Sequence, residues 1–165
     1  MFSAQTYSRR REALVNQMKL RGYGSGFVLF LAHGESPVNY PANAYPFRQD
    51  SNWLYFFGLA LPDMIALLDM DEGKAFLFCD EPGPDDLVWT GPRQPAPELA
   101  ELCGASYGGG IGAAEARIAG IISAGAPIYS PPYCRAETRE RLDALAGATL
   151  GKAQPLGGRL GQGAE

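Results

Sequence analysis

Arg48-Gln49-Asp50-Ser51-Asn52 is the stretch of this 165-residue chain best equipped for chemistry. Arg48 carries a planar fork of donors that can hold a carboxylate or several carbonyls. Gln49, Asp50, Ser51 and Asn52 can each bond backbone, and Asp50 or Ser51 suits the N-cap of a helix. The run is framed by Tyr45-Pro46-Phe47 before it and Trp53-Leu54-Tyr55-Phe56-Phe57-Gly58-Leu59 after it. Trp53, Tyr55, Phe56 and Phe57 supply apolar area, each worth roughly 1.5–3 kcal/mol if fully buried. Two roles fit this pattern. The polar half can brace its own loop while the aromatic half plugs into a core, or Arg48 and Asp50 can touch a substrate. The first is the stronger reading, and the two are compatible.

The other reactive residue types are sparse. His33 is the single histidine, and His33-Gly34-Glu35 offers at most two neighbouring metal ligands. Hydrolytic metal sites combine several histidines and carboxylates, so His33 reads as an exposed loop residue. Any Ser-His-Asp or Cys-His arrangement would need this same His33, and no G-x-S-x-G elbow supports one. Cys79, Cys103 and Cys134 are odd in number and widely spaced, which argues against a disulfide framework and for a reducing compartment. Gly22-x-Gly24-x-Gly26 precedes a strand and reads as a helix end, whereas a dinucleotide fingerprint follows a strand. Gly108 to Gly112 precedes a helix whose N-terminus can receive an anion, but a flexible connection is the simpler reading.

The composition sets the frame for these residues. Hydrophobic residues make up 46% and charged residues 19%, enough to build one domain with a core. The net charge of −4 argues against nucleic-acid binding. The basic run Arg9-Arg10-Arg11 is expected to spread around a solvated helix face. No apolar stretch reaches the roughly 20 residues of a membrane span, and the polar N-terminus lacks a signal-peptide core. A cytoplasmic protein with no nucleic-acid or membrane partner is expected.

The elements that must position the polar run follow from periodicity. Tyr7, Leu14, Val15 and Met18 share one face of an opening helix, capped by Ser3 or Thr6 and ended by Gly22 and Gly24. Gly26 to Leu31 is a strand apolar on both sides, as in a sheet covered above and below. Trp53 to Phe57 forms a short helix or strand. Met64–Met70 and Lys74–Cys79 form a hairpin around Asp71-Glu72-Gly73. Helices are expected from Pro97 to Cys103, Ala113 to Ser123 and Glu137 to Ala146, with a short strand at Pro127-Ile128-Tyr129. The fold class is α/β: a mixed β-sheet with helices on both faces, spanning residues 1–147, with a Gly-rich linker from 148 to 165.

Tyr45 to Leu59 closely resembles the signature of the N-terminal domain of the Xaa-Pro aminopeptidase (aminopeptidase P), creatinase and prolidase family. Tyr7 to Met18 resembles that family's first helix. Phe57-Gly58-Leu59 with Pro62 resembles its T-G-F-x-x-P segment, with Phe57 in place of Thr. Val88-Trp89-Thr90-Gly91-Pro92-Arg93 resembles its W-x-G-x-R segment. The resemblance implies a non-catalytic domain that closes one side of a substrate cleft, limits substrate length and makes subunit contacts in a homo-oligomer. It makes Arg48, Asp50 and Trp89 the substrate-cleft or subunit-contact candidates, with no catalytic or metal-binding residue in this chain. Two divalent ions of the Mn type and the peptide substrate belong, by the same resemblance, to a C-terminal catalytic domain that is the natural partner. Relatives carry an acid shortly before Tyr-Pro-Phe-Arg; Pro41-Ala42-Asn43-Ala44 has none here. A stand-alone binding or assembly module remains an alternative, as does the N-terminal domain of a creatinase-like amidinohydrolase. A small Rossmann-type cofactor enzyme is a third reading, and it predicts nucleotide binding.

Overall fold

A computed structural model describes residues 2–40, 43–83, 91, 94–146 and 154–155. Helix α1 runs from Ala4 to Leu20, with the Ser3 hydroxyl accepting from the Thr6 amide. Strand β1, Phe27–Leu31, follows the turn at Gly22, whose φ of 88° is the left-handed value that closes a helix cheaply only with glycine. Helix α2 is Ser51–Phe56. Strands β2, Ile65–Asp69, and β3, Ala75–Phe78, form the expected hairpin. Helix α3, Ala96–Leu102, leads to β4, Ser106–Gly109, and α4, Ile111–Ser123. Strand β5, Ile128–Ser130, helix α5, Ala136–Ala146, and the short β6, Gln154–Pro155, complete the described elements.

The strand order is β4-β3-β2-β1-β5-β6. Strand β2 is antiparallel to β1 and β3, while β1–β5, β3–β4 and β5–β6 pair in parallel. Every described strand except β2 therefore points the same way and ends on one edge of the sheet. That carboxyl edge is where open α/β sheets present their functional groups.

Alternation divides the core between the two faces. Val28, Phe30, Ala66, Leu68 and Leu77 pack with Tyr7, Val15, Met18, Trp53 and Leu99 from α1, α2 and α3. Leu29, Leu31, Ile65, Leu67 and Phe78 pack with Ala114, Ile118, Ile121 and Leu142 from α4 and α5. The mixed sheet with helices on both faces is thus present as the sequence implies.

Two expectations fail. Arg11 is not on a solvated face: it is 3% exposed. Its Nη1 donates to Phe56 O at 2.8 Å and Cys103 O at 2.9 Å, and its Nη2 donates to Gly104 O and the Ser8 hydroxyl. Those carbonyls lie at the C-terminal ends of α2 and α3, where unpaired oxygens and the helix dipole favour a cation. Burial pushes the guanidinium below its ordinary pKa, opposed by the effect of Cys103. The Gly-rich stretch is not a flexible break either. It includes β4, where a side chain at 108 would run into the Phe78 ring. The anion at the start of α4 is the chain's own: Asp80 Oδ1 accepts from the Ile111 amide at 2.8 Å.

Candidate functional site

Beyond the end of β1 the chain reaches His33, which the sequence places in solvent and the structure buries to 8% exposure. The reason is Gln49, itself 4% exposed. Its Oε1 accepts from the His33 amide at 2.7 Å and from the Asp50 amide at 2.9 Å, while its Nε2 donates to Leu61 O at 2.7 Å. One side chain thereby joins the end of β1, the start of α2 and the segment entering β2. The His33 ring completes the joint, with Nδ1 3.2 Å from Arg48 O and Nε2 3.7 Å from Asp50 Oδ2.

Asp50 is the N-cap of α2, its Oδ1 accepting from the Trp53 amide at 2.9 Å. Trp53 turns inward, donates from Nε1 to Leu59 O and stacks on Phe57 with ring centroids 5.0 Å apart. The chain can turn beneath this stack because residue 58 is glycine: its φ is 72°, and a Cβ there would strike the Tyr7 hydroxyl. Arg135, just before α5, donates to the Ser36 hydroxyl at 3.0 Å and to Arg48 O at 3.4 Å. Arg141 on α5 reaches Asp63, donating to its carbonyl at 3.2 Å with a guanidinium nitrogen 3.6 Å from its carboxylate.

The three candidates from the sequence separate in role. Arg48 is exposed, and its guanidinium makes no hydrogen bond or ion pair among the described residues. Asp50 is occupied with capping and with His33. Trp89 lies outside the described residues. Gln49, His33, Arg135 and Arg141 hold the arrangement together. Gln49 belongs to the polar run and was open to detection there; the two arginines lie 87 and 78 residues from the atoms they bind and carry no local signal.

The two depressions near this edge differ in chemistry. A cleft of about 350 Å³ is lined by Glu35, Asp63, Cys79, Asp80 and Glu81. Its acids are largely committed: Asp80 caps α4, Glu81 accepts from the Ala96 amide at 2.8 Å, and Asp63 faces Arg141. Burial, with Glu81 and Asp80 nearby, pushes the Cys79 thiol up to about 11, so it stays protonated at neutral pH. Among the described residues no group of three or more His, Cys, Asp and Glu side chains can hold a metal ion. The pair of Mn-type ions implied by the resemblance thus has no ligand set there, and no chemical step is assigned to them. The second depression lies between β1 and β5, where the connections leave toward opposite sides. Ser130, Pro131, Pro132 and Tyr133 reduce it to about 20 Å³. Ligand sites start at about 300 Å³, so this crevice is too small as it stands to seat a dinucleotide.

Fold and edge together define an α/β domain whose mixed sheet carries a hydrogen-bonded loop at its carboxyl edge. A family profile described as "Aminopeptidase P, N-terminal domain" matches residues 7–129, and the chain belongs to that family. It is 33% identical over 96 residues to human Xaa-Pro aminopeptidase 3, covering 53% of this chain and 19% of the relative. It is 27% identical over 100 residues to the Emericella nidulans protein named "Probable Xaa-Pro aminopeptidase pepP", covering 61% and 21%. Among solved structures, the low-pH form of aminopeptidase P from E. coli superposes with a TM-score of 0.67 at 22% identity. That match covers 94% of this chain and 36% of the solved one, so it shows the fold alone. The chain spans about a fifth of the curated relatives' length. Among the described residues no helix is long and apolar enough to cross a membrane.

Proposed function

We propose that this chain acts as the non-catalytic N-terminal domain of a cytoplasmic proline-specific metallopeptidase, an Xaa-Pro aminopeptidase or dipeptidase. In this reading the carboxyl edge of the sheet shapes one side of the parent's substrate cleft. The metal-dependent chemistry resides in a C-terminal catalytic domain, with two Mn-type ions supplying the hydrolytic Lewis acidity. The parent forms a homo-oligomer, with Trp89 as the candidate subunit-contact residue. The observation that carries the reading is the Gln49 clasp, which spends a buried amide and a buried histidine on holding Arg48 free at the edge. A domain that completes another's cleft needs such a rigid rim more than it needs a nucleophile. The test is cleavage of an Xaa-Pro peptide by the purified 165-residue chain with added Mn²⁺. Release of the first residue no faster than in buffer is expected; protein-dependent turnover overturns the reading.

A further inference from the structure

Helices α1 and α2 leave a groove of about 310 Å³ between them, lined by Arg10, Leu14, Met18 and Arg21 along α1 and by Tyr55 and Phe56 on α2. Its walls are apolar. Met18 is buried, while Leu14, Phe56 and the adjoining Tyr23 pack on the core and stay partly open. Tyr55 is 52% exposed. Arg21 and Tyr23 come just before β1, so this end of the groove lies toward the amino edge of the sheet, away from Arg48.

The Arg10 guanidinium lies over the Phe2 ring, 4.4 Å from its centroid, and over the Tyr55 ring at 4.3 Å, while Nη1 donates to Tyr55 O at 2.8 Å. Its other N–H groups make no hydrogen bond among the described residues, and the Arg21 guanidinium makes no hydrogen bond or ion pair there. A fork held in place with donors to spare is preorganised. No acid lines the groove to offset these cations. Glu12 is the one acid of α1 and, with Lys19, falls on the opposite side of the helix at about 100° per residue. Helix α2 carries no charged residue, and Asp50 caps its far end, where it faces His33. The β2–β3 turn, where Glu72 pairs with Lys74, borders a separate depression beside Ser8 and Arg11. The groove is therefore positive on a chain whose net charge is −4.

Guanidinium forks match carboxylates, and thioether and aromatic walls match a large apolar side chain. Arg10 and Arg21 are 21 − 10 = 11 positions apart, about 16 Å of helix. One small anion does not span that distance; an extended segment with acids five positions apart does, at about 3.3 Å per residue. We propose that the α1–α2 groove is a docking surface for a partner-protein segment in which two carboxylates flank a large apolar side chain. The carboxylates sit on Arg10 and Arg21, and the apolar side chain enters beside Leu14, Met18 and Phe56. This assignment goes beyond the function proposed above and does not depend on the parent being a peptidase.

The test is fluorescence anisotropy of the dye-labelled, C-terminally amidated peptide Glu-Ala-Leu-Trp-Ala-Glu, titrated with the 165-residue chain up to about 1 mM. Saturable binding is expected, weakening as salt rises, and about tenfold weaker for the peptide with Gln in place of both Glu. Gln17→Glu keeps the side-chain size but adds a negative charge to the groove lining. It should weaken the acidic peptide about fivefold and leave the Gln peptide unchanged. Arg21→Glu should weaken the acidic peptide and strengthen the counterpart with Lys in place of Glu, a swap that a purely structural role for Arg21 does not produce. Equal binding of the acidic and Gln peptides overturns the proposal, as does indifference to Gln17→Glu or a titration without saturation. Self-association of the chain alone that Gln17→Glu reverses overturns it in favour of a second copy.

Discussion

Arg11 and Gln49 anchor opposite ends of the same short helix, α2, and do so with different chemistry. Arg11 gathers the carbonyls where α2 and α3 end, using a buried cation. Gln49 gathers two amides and a carbonyl where α2 begins, using a neutral amide. The cation accepts a large desolvation cost in return for charge-assisted bonds to dipole ends; the amide costs less to bury and binds less strongly. Losing the side chain is therefore expected to cost more at Arg11 than at Gln49.

Removing the charge tests the contrast most severely. Arg11→Met fills similar volume but orphans three carbonyls, and is expected to cost about 3 kcal/mol in urea unfolding. A loss below about 1 kcal/mol would erase the contrast. Gln49→Ala frees the buried His33 amide and the half-buried Asp50 amide and is expected to cost about 2 kcal/mol. Its distinguishing sign is local: hydrogen exchange at His33 and Asp50 should accelerate more than in the sheet.

A smaller effect belongs to the thiol in the Arg11 knot. Cys103 is pushed up from 9.0 to about 11, by burial first, with Arg11 pulling the other way. The unfolded chain then loses this proton near pH 9 while the folded chain keeps it, so stability is fully present below pH 9 and declines as pH rises through about 11. Cys79 is raised over the same range, so Cys103→Ala should reduce that alkaline slope without abolishing it and leave the slope below pH 8 unchanged, measured by denaturation at each pH.

The sequence exposed what local rules govern. The β2–β3 hairpin was legible from its two apolar runs and Gly73, the α2 cap from Asp50, and the two-sided core from β1. Strand β4 was hidden because Ser-Tyr-Gly-Gly has no strand pattern; pairing with β3 overrides propensity there. Arg11 and His33 were misplaced because burial depends on partners remote in the chain. Arg11 meets carbonyls 45, 92 and 93 residues away, a distance that periodicity cannot see. Of the site, Arg48 and Asp50 were named from the polar run, but their division into a free donor and a cap needed the surrounding geometry.

The parallel pairing of Phe27 with Ile128 carries a kinetic consequence. These partners are 128 − 27 = 101 positions apart, so closing the loop between them costs about 4 kcal/mol of chain entropy before any contact repays it. Strand β1 meets β2 across a shorter loop, 65 − 31 = 34 positions, which costs about 1 kcal/mol less, and β2–β3 is a tight hairpin, so these three strands are expected to assemble first. Pulsed hydrogen exchange during refolding should accordingly protect Leu67 before Tyr129; the reverse order would contradict this sequence of events. Arg135 follows β5, so the rim that holds Arg48 is finished only after most of the sheet already exists.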